Sequence, residues 1–304
     1  MLGKLKDMFG SMKPSGASQS GGATRRSRVN LQRRFTLVAL TGQGSMSRVH
    51  RAVDNQTGRV VCLKIQIPEK NEAAAARSAK TTRPPEGEIS SQVIHPHVVK
   101  TFDYGQSTKG EHFLSMEFIE GVSLRYVRES HSANLGEKLE LLAQAAEGLA
   151  AVHAHGFIHH DIGPQNFLVD RDQRVKLIDF GLAVPNTPLF NRPGNRTGTL
   201  QYMAPELIRR EATDERLDIF SFGALAFELL TDRLPYDAGH NNSMAMLLQR
   251  INTDPLDPAV ANPRLPSELT DLMRKLIARR KADRWPSMAN LAEAFRSITV
   301  GAAV

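Results

Sequence analysis

The chain has 304 residues, 41% of them apolar and 23% charged, with one cysteine and a net charge of +7. The single thiol, Cys62, excludes an intrachain disulfide and any zinc site built from several cysteines, and it fits a reducing, cytoplasmic setting. The most apolar stretches, Leu139–Ala154 and Ile219–Leu230, are interrupted by Glu, Gln or Gly, so no run is long enough to be expected to span a membrane.

Residues 1–34 hold eight Lys and Arg against Asp7 alone, which accounts for the whole net charge. The rest of the chain is electrically neutral, so a specific nucleic-acid partner is not expected. Met1–Phe9 can place Leu2, Leu5, Met8 and Phe9 on one side of a short basic helix, a pattern suited to weak contact with an anionic membrane. Ser11–Ala23 is almost entirely Ser, Gly, Ala, Pro, Lys and Gln, too poor in apolar surface to offset the entropy of ordering. Residues 1–34 therefore read as a flexible basic tail.

From Phe35 the pattern predicts strands at Phe35–Leu40, Arg48–Val53 and Arg59–Gln66, with Asp54–Gly58 as the turn of a hairpin. Val98–Tyr104 and Glu111–Ile119 add two more. The segment 71–82, with four consecutive alanines, reads as a helical or flexible insertion before Pro84-Pro85. After Ser123 helical spacing takes over, and Leu139, Leu142, Ala145, Leu149 and Val152 form one buried stripe. Short strands return at Phe167–Val169 and Val175–Ile178, and helices follow. Strands first and helices after predict an α+β chain of two lobes with a hinge near Glu117–Gly121. The small lobe, an antiparallel sheet, spans 35–119, the larger helical lobe 120–298, and 299–304 form a short tail.

Three groups of residues carry chemistry. Gly42-Gln43-Gly44-Ser45-Met46-Ser47 lies at a strand-to-strand turn, where glycines let backbone N–H groups approach an anion. Lys64 stands inside the apolar strand Val61–Ile65 and needs a phosphate or a carboxylate as partner. His159-His160-Asp161-Ile162-Gly163-Pro164-Gln165-Asn166, followed by two short strands and Asp179-Phe180-Gly181, supplies two carboxylates and an amide, the hard-oxygen set that Mg²⁺ and a nucleotide tail require. Gly198–Glu206 (Gly-Thr-Leu-Gln-Tyr-Met-Ala-Pro-Glu) follows a polar stretch.

This ordered set resembles the eukaryotic-like, bacterial-type serine/threonine protein kinases, over roughly Phe35 to Phe295. The resemblance implies a two-lobed protein-kinase-like fold, ATP and Mg²⁺ as cofactors, and transfer of the γ-phosphate to a protein Ser or Thr hydroxyl. It implies that Gly42 and Gly44 cover the phosphates, that Lys64 contacts them, and that Glu86, or else Glu88, pairs with Lys64. Asp161 is implied as catalytic base and Asn166 with Asp179 as Mg²⁺ ligands. Val49 and Cys62 would roof the adenine, Leu168 would floor it, Met116 would stand at the gatekeeper position, and backbone groups of Glu117 and Ile119 would read the adenine edge. Asp218 is implied as a brace for the catalytic loop, and Arg284 as the partner of Glu206.

The chain departs from that family at several positions. Ser47 replaces the third loop glycine, and Gly163 stands where protein-serine kinases usually carry a lysine, which implies reduced activity. His160 replaces an arginine that receives a phosphorylated activation loop, so control by loop phosphorylation is not expected. Ser90 and Thr101 are polar where the small-lobe spine prefers apolar residues. These features leave two alternatives open: a nucleotide-binding pseudokinase scaffold and a small-molecule kinase.

Overall fold

A computed structural model describes residues 28–43, 47–67, 83–194, 197–236 and 243–299. The tail up to residue 27, Gly44 and the alanine-rich segment lie outside the described residues. In chain order the elements of the small lobe are α1 (Leu31–Arg34), β1 (Phe35–Gln43), β2 (Ser47–Asp54), β3 (Val60–Gln66), α2 (Glu86–Ser90), β4 (Thr101–Gln106) and β5 (His112–Glu117). The larger lobe follows with β6 (Gly121–Ser123), α3 (Leu124–Glu129), α4 (Leu135–Ala154), β7 (Phe157–Ile158), β8 (Phe167–Asp170), β9 (Val175–Leu177) and β10 (Val184–Pro185). It ends with α5 (Pro205–Ile208), α6 (Arg216–Thr231), α7 (Ser243–Asn252), α8 (Pro258–Ala261), α9 (Ser267–Leu276) and α10 (Leu291–Arg296).

The period-two pattern of β3 divides the small lobe into two faces. Val61, Leu63 and Ile65 point to one side, where they bury with Phe35, Ala52 and Phe113, while Cys62 packs with the main core on the other. The five strands form one antiparallel sheet in the order β1-β2-β3-β5-β4. Residues 28–34, read from composition as tail, are folded onto this sheet. Val29 bonds to the main chain of Gln106 and Thr108, and Val29 and Leu31 cover the small core. Arg34 reaches Asp54 at 3.2 Å and Asp103 at 2.5 Å. Composition alone misses this because the basic residues that mark a tail also serve as ion-pair donors to the sheet.

The fourth strand begins at Thr101 rather than at Val98, because the residues before it turn to the other lobe. Val99 N–H donates to Leu177 O, and Leu177 N–H donates to His97 O, both at 2.9 Å. These bonds stitch the segment after α2 to β9. The expected fifth strand ends at Glu117, and β6 starts at Gly121, so the crossing between lobes spans the intervening residues.

The large lobe is built around α6, whose residues from Leu217 to Thr231 are all buried. A helix that is buried on every side sits at the centre of its lobe. The five residues of the α4 stripe are buried, and Asn134 caps that helix in a reciprocal box with Glu137.

Helix α2 is short. Pro85 precedes it, as proline at a helix entry permits, and its inner face lies on β4. Gly87 makes this possible: a methyl group there would overlap Cβ and Cγ of Tyr104. The two polar spine positions satisfy each other, with Thr101 Oγ1 donating to Ser90 Oγ at 2.9 Å. Ser90 is buried. Either Ser90→Ala or Thr101→Val alone should cost about 1–3 kcal/mol, because a hydroxyl is left unpaired in the core, while the double variant should lose less than the sum. Urea titrations of the four proteins test this, and strictly additive losses would refute the pairing.

Candidate active site

Lys64 extends from β3 into the cleft between the lobes. Its Nζ lies 2.8 Å from Glu86 Oε1 and 2.8 Å from Asp179 Oδ1. Burial opposes the charge of Lys64, but the two carboxylates outweigh it and raise its pKa, so the ammonium is held charged. Glu86 is buried on the inner side of α2, whereas Glu88 is exposed and takes no part in this cluster. For Asp179 burial would raise the pKa, yet Lys64 and the Gly181 N–H, at 2.9 Å, bring it below its ordinary value. Its side chain remains 44% exposed toward the cleft.

The loop from His159 to Asn166 is hung on one buried carboxylate. Asp218, on α6, accepts the backbone N–H groups of His159 and His160 at 2.7 and 2.9 Å, and His153 Nε2 lies 2.9 Å away. Burial alone would favour its neutral form, but these partners outweigh it and lower its pKa. His160 takes a left-handed backbone, with φ of 67°. Gly198 passes its carbonyl so closely that a Cβ there would lie 2.5 Å from His160 O, and its own φ of 114° demands glycine. The ring of His159 meets the edge of buried Phe180 with centroids 5.2 Å apart, joining the loop to the Asp179 turn.

Asp161 is fixed from both sides. Its Oδ1 accepts the Thr199 N–H at 3.0 Å and the Thr199 hydroxyl at 2.7 Å, and its Oδ2 accepts Asn166 Nδ2 at 3.1 Å. The same Nδ2 donates to Asp161 O at 2.7 Å, and Ile178 N–H donates to Asn166 O at 2.8 Å, which carries Asn166 to the residue before Asp179. Asp161, Asn166, Asp179 and Lys64 thus form one connected group. Two carboxylates and an amide fit a hard cation beside the ammonium of Lys64.

Where a lysine is missing, the neutral amide of Gln165 fills the space. It crowds Gly163, and its Nε2 lies 3.4 Å from Thr199 Oγ1. His160, buried, has its pKa lowered by desolvation, and its Nδ1 lies 3.3 Å from Thr197 Oγ1.

The other residues singled out for the nucleotide fall on β1, β2, β3, β5 and β8 and on the crossing between the lobes. Cys62 pairs with Met116 across β3 and β5, Val49 pairs with Lys64, and Val61 pairs with Glu117. Burial pushes the Cys62 thiol up to about 11, which keeps it protonated and inert at neutral pH. Gly42 pairs with Val49 at the end of β1, past a bulge at Thr41, whose hydroxyl donates to Val49 O. Leu168 pairs with Lys176 on the large-lobe side. Ile119 is half-buried between the lobes, and the Glu117 N–H is engaged by Lys100 O at 2.9 Å.

The protein kinase domain model matches residues 35–295. The chain belongs to the protein kinase family. Among curated proteins this kinase domain is 33% identical over 262 residues to the serine/threonine-protein kinase PknD of Mycobacterium tuberculosis, covering 85% of this chain and 38% of that protein. It is 34% identical over 275 residues to pkn2 of Myxococcus xanthus, covering 87% of this chain and 32% of the other. With PknB of Mycolicibacterium smegmatis the identity is 28% over 269 residues, covering 86% and 42%. The chain therefore spans about a third to a half of the length of the curated relatives it matches. Among the described residues no helix is long and apolar enough to cross a membrane.

Two residues of this kinase domain escape the sequence reading. Gly87 sits inside a helix, where glycine is unfavourable, and that cost is the signal that could have drawn attention to it. Arg250 follows the apolar run Met244–Leu248 and Gln249, and nothing along the chain indicates what it holds.

Proposed function

We propose that this chain is a serine/threonine protein kinase that transfers the γ-phosphate of Mg-ATP to a protein hydroxyl. The single observation that supports this most strongly is the carboxylate of Asp161, oriented by Thr199 and Asn166, with Asn166 O in turn accepting the N–H of Ile178, the residue before Asp179 of the Lys64–Asp179 pair. In this reading Lys64, held charged by Glu86, orients the nucleotide phosphates, and Asn166 and Asp179 hold Mg²⁺, which neutralises phosphate charge when bound. Asp161 accepts the hydrogen bond of the incoming hydroxyl and takes its proton as the oxygen attacks. The cleft residues Val49, Cys62, Met116, Leu168 and the backbone of Glu117 and Ile119 receive the adenine. Gly163 removes one preorganised positive donor, and the neutral Gln165 amide does not restore it, so transfer is slower by about 10²–10³ than with lysine there. The basic charge of residues 1–34 supports contact with anionic surfaces, and the lone cysteine supports a cytoplasmic setting.

The test is transfer from labelled ATP to generic acceptors such as casein or myelin basic protein, compared with Asp161→Asn. The variant should melt like the wild type and lose about 10²–10⁴ in rate. Equal rates in the two proteins would remove this reading.

A second expectation concerns regulation. A phosphate on Thr197 would meet the neutral ring of His160 in place of the arginine that the family carries at that position. Thr197→Ala should leave turnover within about twofold, because no charge-assisted pair is lost. A large loss restored by Thr197→Glu would refute this.

A further inference from the structure

The chain from Asp179 leads to Thr199, the partner of Asp161, and its middle is held by side chains that the reaction scheme above leaves unused. At the near end β10 pairs with β7, the strand that runs into the loop of Asp161. At the far end Thr199 is bonded to Asp161, and past it the buried Arg250 donates to the carbonyls of Leu200, Gln201 and Met203 at 2.7 to 2.8 Å. Between these anchors three side chains form a relay. Glu215 Oε2 accepts Asn186 Nδ2 at 3.0 Å, and Asn186 Oδ1 accepts Asn191 Nδ2 at 2.7 Å. The main chain follows the same line: Asn186 N–H donates to Gly156 O at 2.7 Å, and Thr213 N–H donates to Asn191 O at 3.0 Å. The two asparagines close the ends of one tight turn, in which Phe190 and Asn191 N–H both donate to Thr187 O and Phe190 packs on the large-lobe core.

The relay has a fixed direction. A carboxylate can only accept, so Glu215 makes Asn186 present its NH₂ on that side and its oxygen on the other. That oxygen in turn selects the NH₂ of Asn191, so the carboxylate orients both amides although it touches one. Glu215 itself stands on firm ground. It immediately precedes α6, where the helix dipole favours negative charge, and its side chain crosses to Asn186 instead of capping its own helix. Its neighbour Asp214 is clamped by Arg216 at 2.8 Å and Lys281 at 3.2 Å. Burial opposes the Asp214 charge, but these two cations outweigh it and lower its pKa to about 2.

We propose that Glu215, Asn186 and Asn191 are positioning residues that fasten the segment between Asp179 and Thr199 in its reacting path, so that transfer requires no phosphate on that segment. This rests on the kinase reading and deepens it by naming what supplies the hold. Every partner in the relay comes from the chain itself, so the hold is built in rather than switched on.

The experiment uses the full chain, treated with a broad-specificity phosphatase and then freed of it, with labelled ATP and casein or myelin basic protein as acceptor. The treated wild type should transfer without a lag and within about twofold of the untreated rate. Glu215→Ala should lower kcat at least about tenfold, as a misplaced segment would, and leave the KM for ATP within about twofold. Glu215→Gln keeps an oxygen for Asn186 and should recover most of kcat. Asn186→Asp sets one carboxylate against another and should lose at least as much as Glu215→Ala. Asn191→Ala removes only the outer link; it should show a smaller loss in the same direction and carries the test if the other variants fail to fold. Amide exchange over residues 186–191 should quicken in Glu215→Ala and not in Glu215→Gln, with α4 and the body of α6 as protected as in the wild type. A lag or a large loss after phosphatase treatment, wild-type turnover in Glu215→Ala, or a Glu215→Gln no better than Glu215→Ala would overturn the proposal. If the wild type transfers no phosphate before or after treatment, the kinase reading falls instead, and unchanged exchange in Glu215→Ala would overturn the relay separately.

Discussion

Glu206→Ala should destabilise the fold by about 3–5 kcal/mol, the range found when one partner of a buried ion pair is removed. Glu206 and Arg284 meet through two parallel bonds of 2.7 Å, with side chains 2% and 0% exposed. Three further carbonyls, of Ala278, Arg216 and Arg279, receive the remaining donors of Arg284. Without Glu206 the guanidinium keeps those bonds but loses its only described counter-charge, and water cannot reach it. Arg284→Ala should cost a similar amount for the mirrored reason, because the carboxylate is then left alone in the core. Replacing both with apolar residues, Glu206→Leu with Arg284→Met, should lose less than either single change. Urea denaturation at constant slope is the measurement. A Glu206→Ala midpoint within about 1 kcal/mol of wild type would mean that the pair contributes no more than a surface bridge.

The second large effect should appear in turnover rather than in stability. Gly87→Ala places a methyl group 2.3 Å from Cβ and 2.4 Å from Cγ of the Tyr104 side chain, an overlap that only a shift of α2 relative to β4 relieves. Glu86 is the neighbouring residue and the carboxylate that Lys64 reaches at 2.8 Å. Misplacing a positioning contact by about 1 Å costs on the order of 10²-fold in rate, so Gly87→Ala should fall by about that factor. Glu86→Gln should fall comparably, and the double variant should be little worse than either, since both act through one contact. Wild-type turnover in Gly87→Ala would show that α2 can move without losing the pair.

The contrast between these two sites explains what could be read from the chain. Lys64, Asp161, Asn166 and Asp179 could be singled out by residue type and order, and Glu206 with Arg284 through the family resemblance, because order survives in a sequence, and the fold brings them into contact as pairs. The five strands of the small lobe were legible from their pattern, though not all their bounds: β1 runs on to Gln43, β5 stops at Glu117, and residues 97–99 leave the sheet to bond β9 before β4 begins. Gly87, Arg250 and the Ser90–Thr101 pair were not, because each depends on what the fold brings opposite it. A hydroxyl pair reads as two polar residues in a spine until the 2.9 Å contact between them is seen. Likewise, residues 28–34 have the composition of a tail, and only the acids on the sheet edge give Arg34 a fixed place.

That attachment has a practical side. The family match begins at Phe35, yet the apolar layer formed by Phe35, Val61, Leu63 and Phe113 is roofed by Val29 and Leu31. Cutting the gene at the match would expose this layer to water and remove the guanidinium of Arg34 from Asp54 and Asp103 at the same time, presenting a greasy acidic patch to neighbouring molecules. The shortest expression product that keeps the sheet closed starts at or before Arg28, and a purification tag joined there would emerge beside the turn between β4 and β5, which Val29 and Thr108 already tie together.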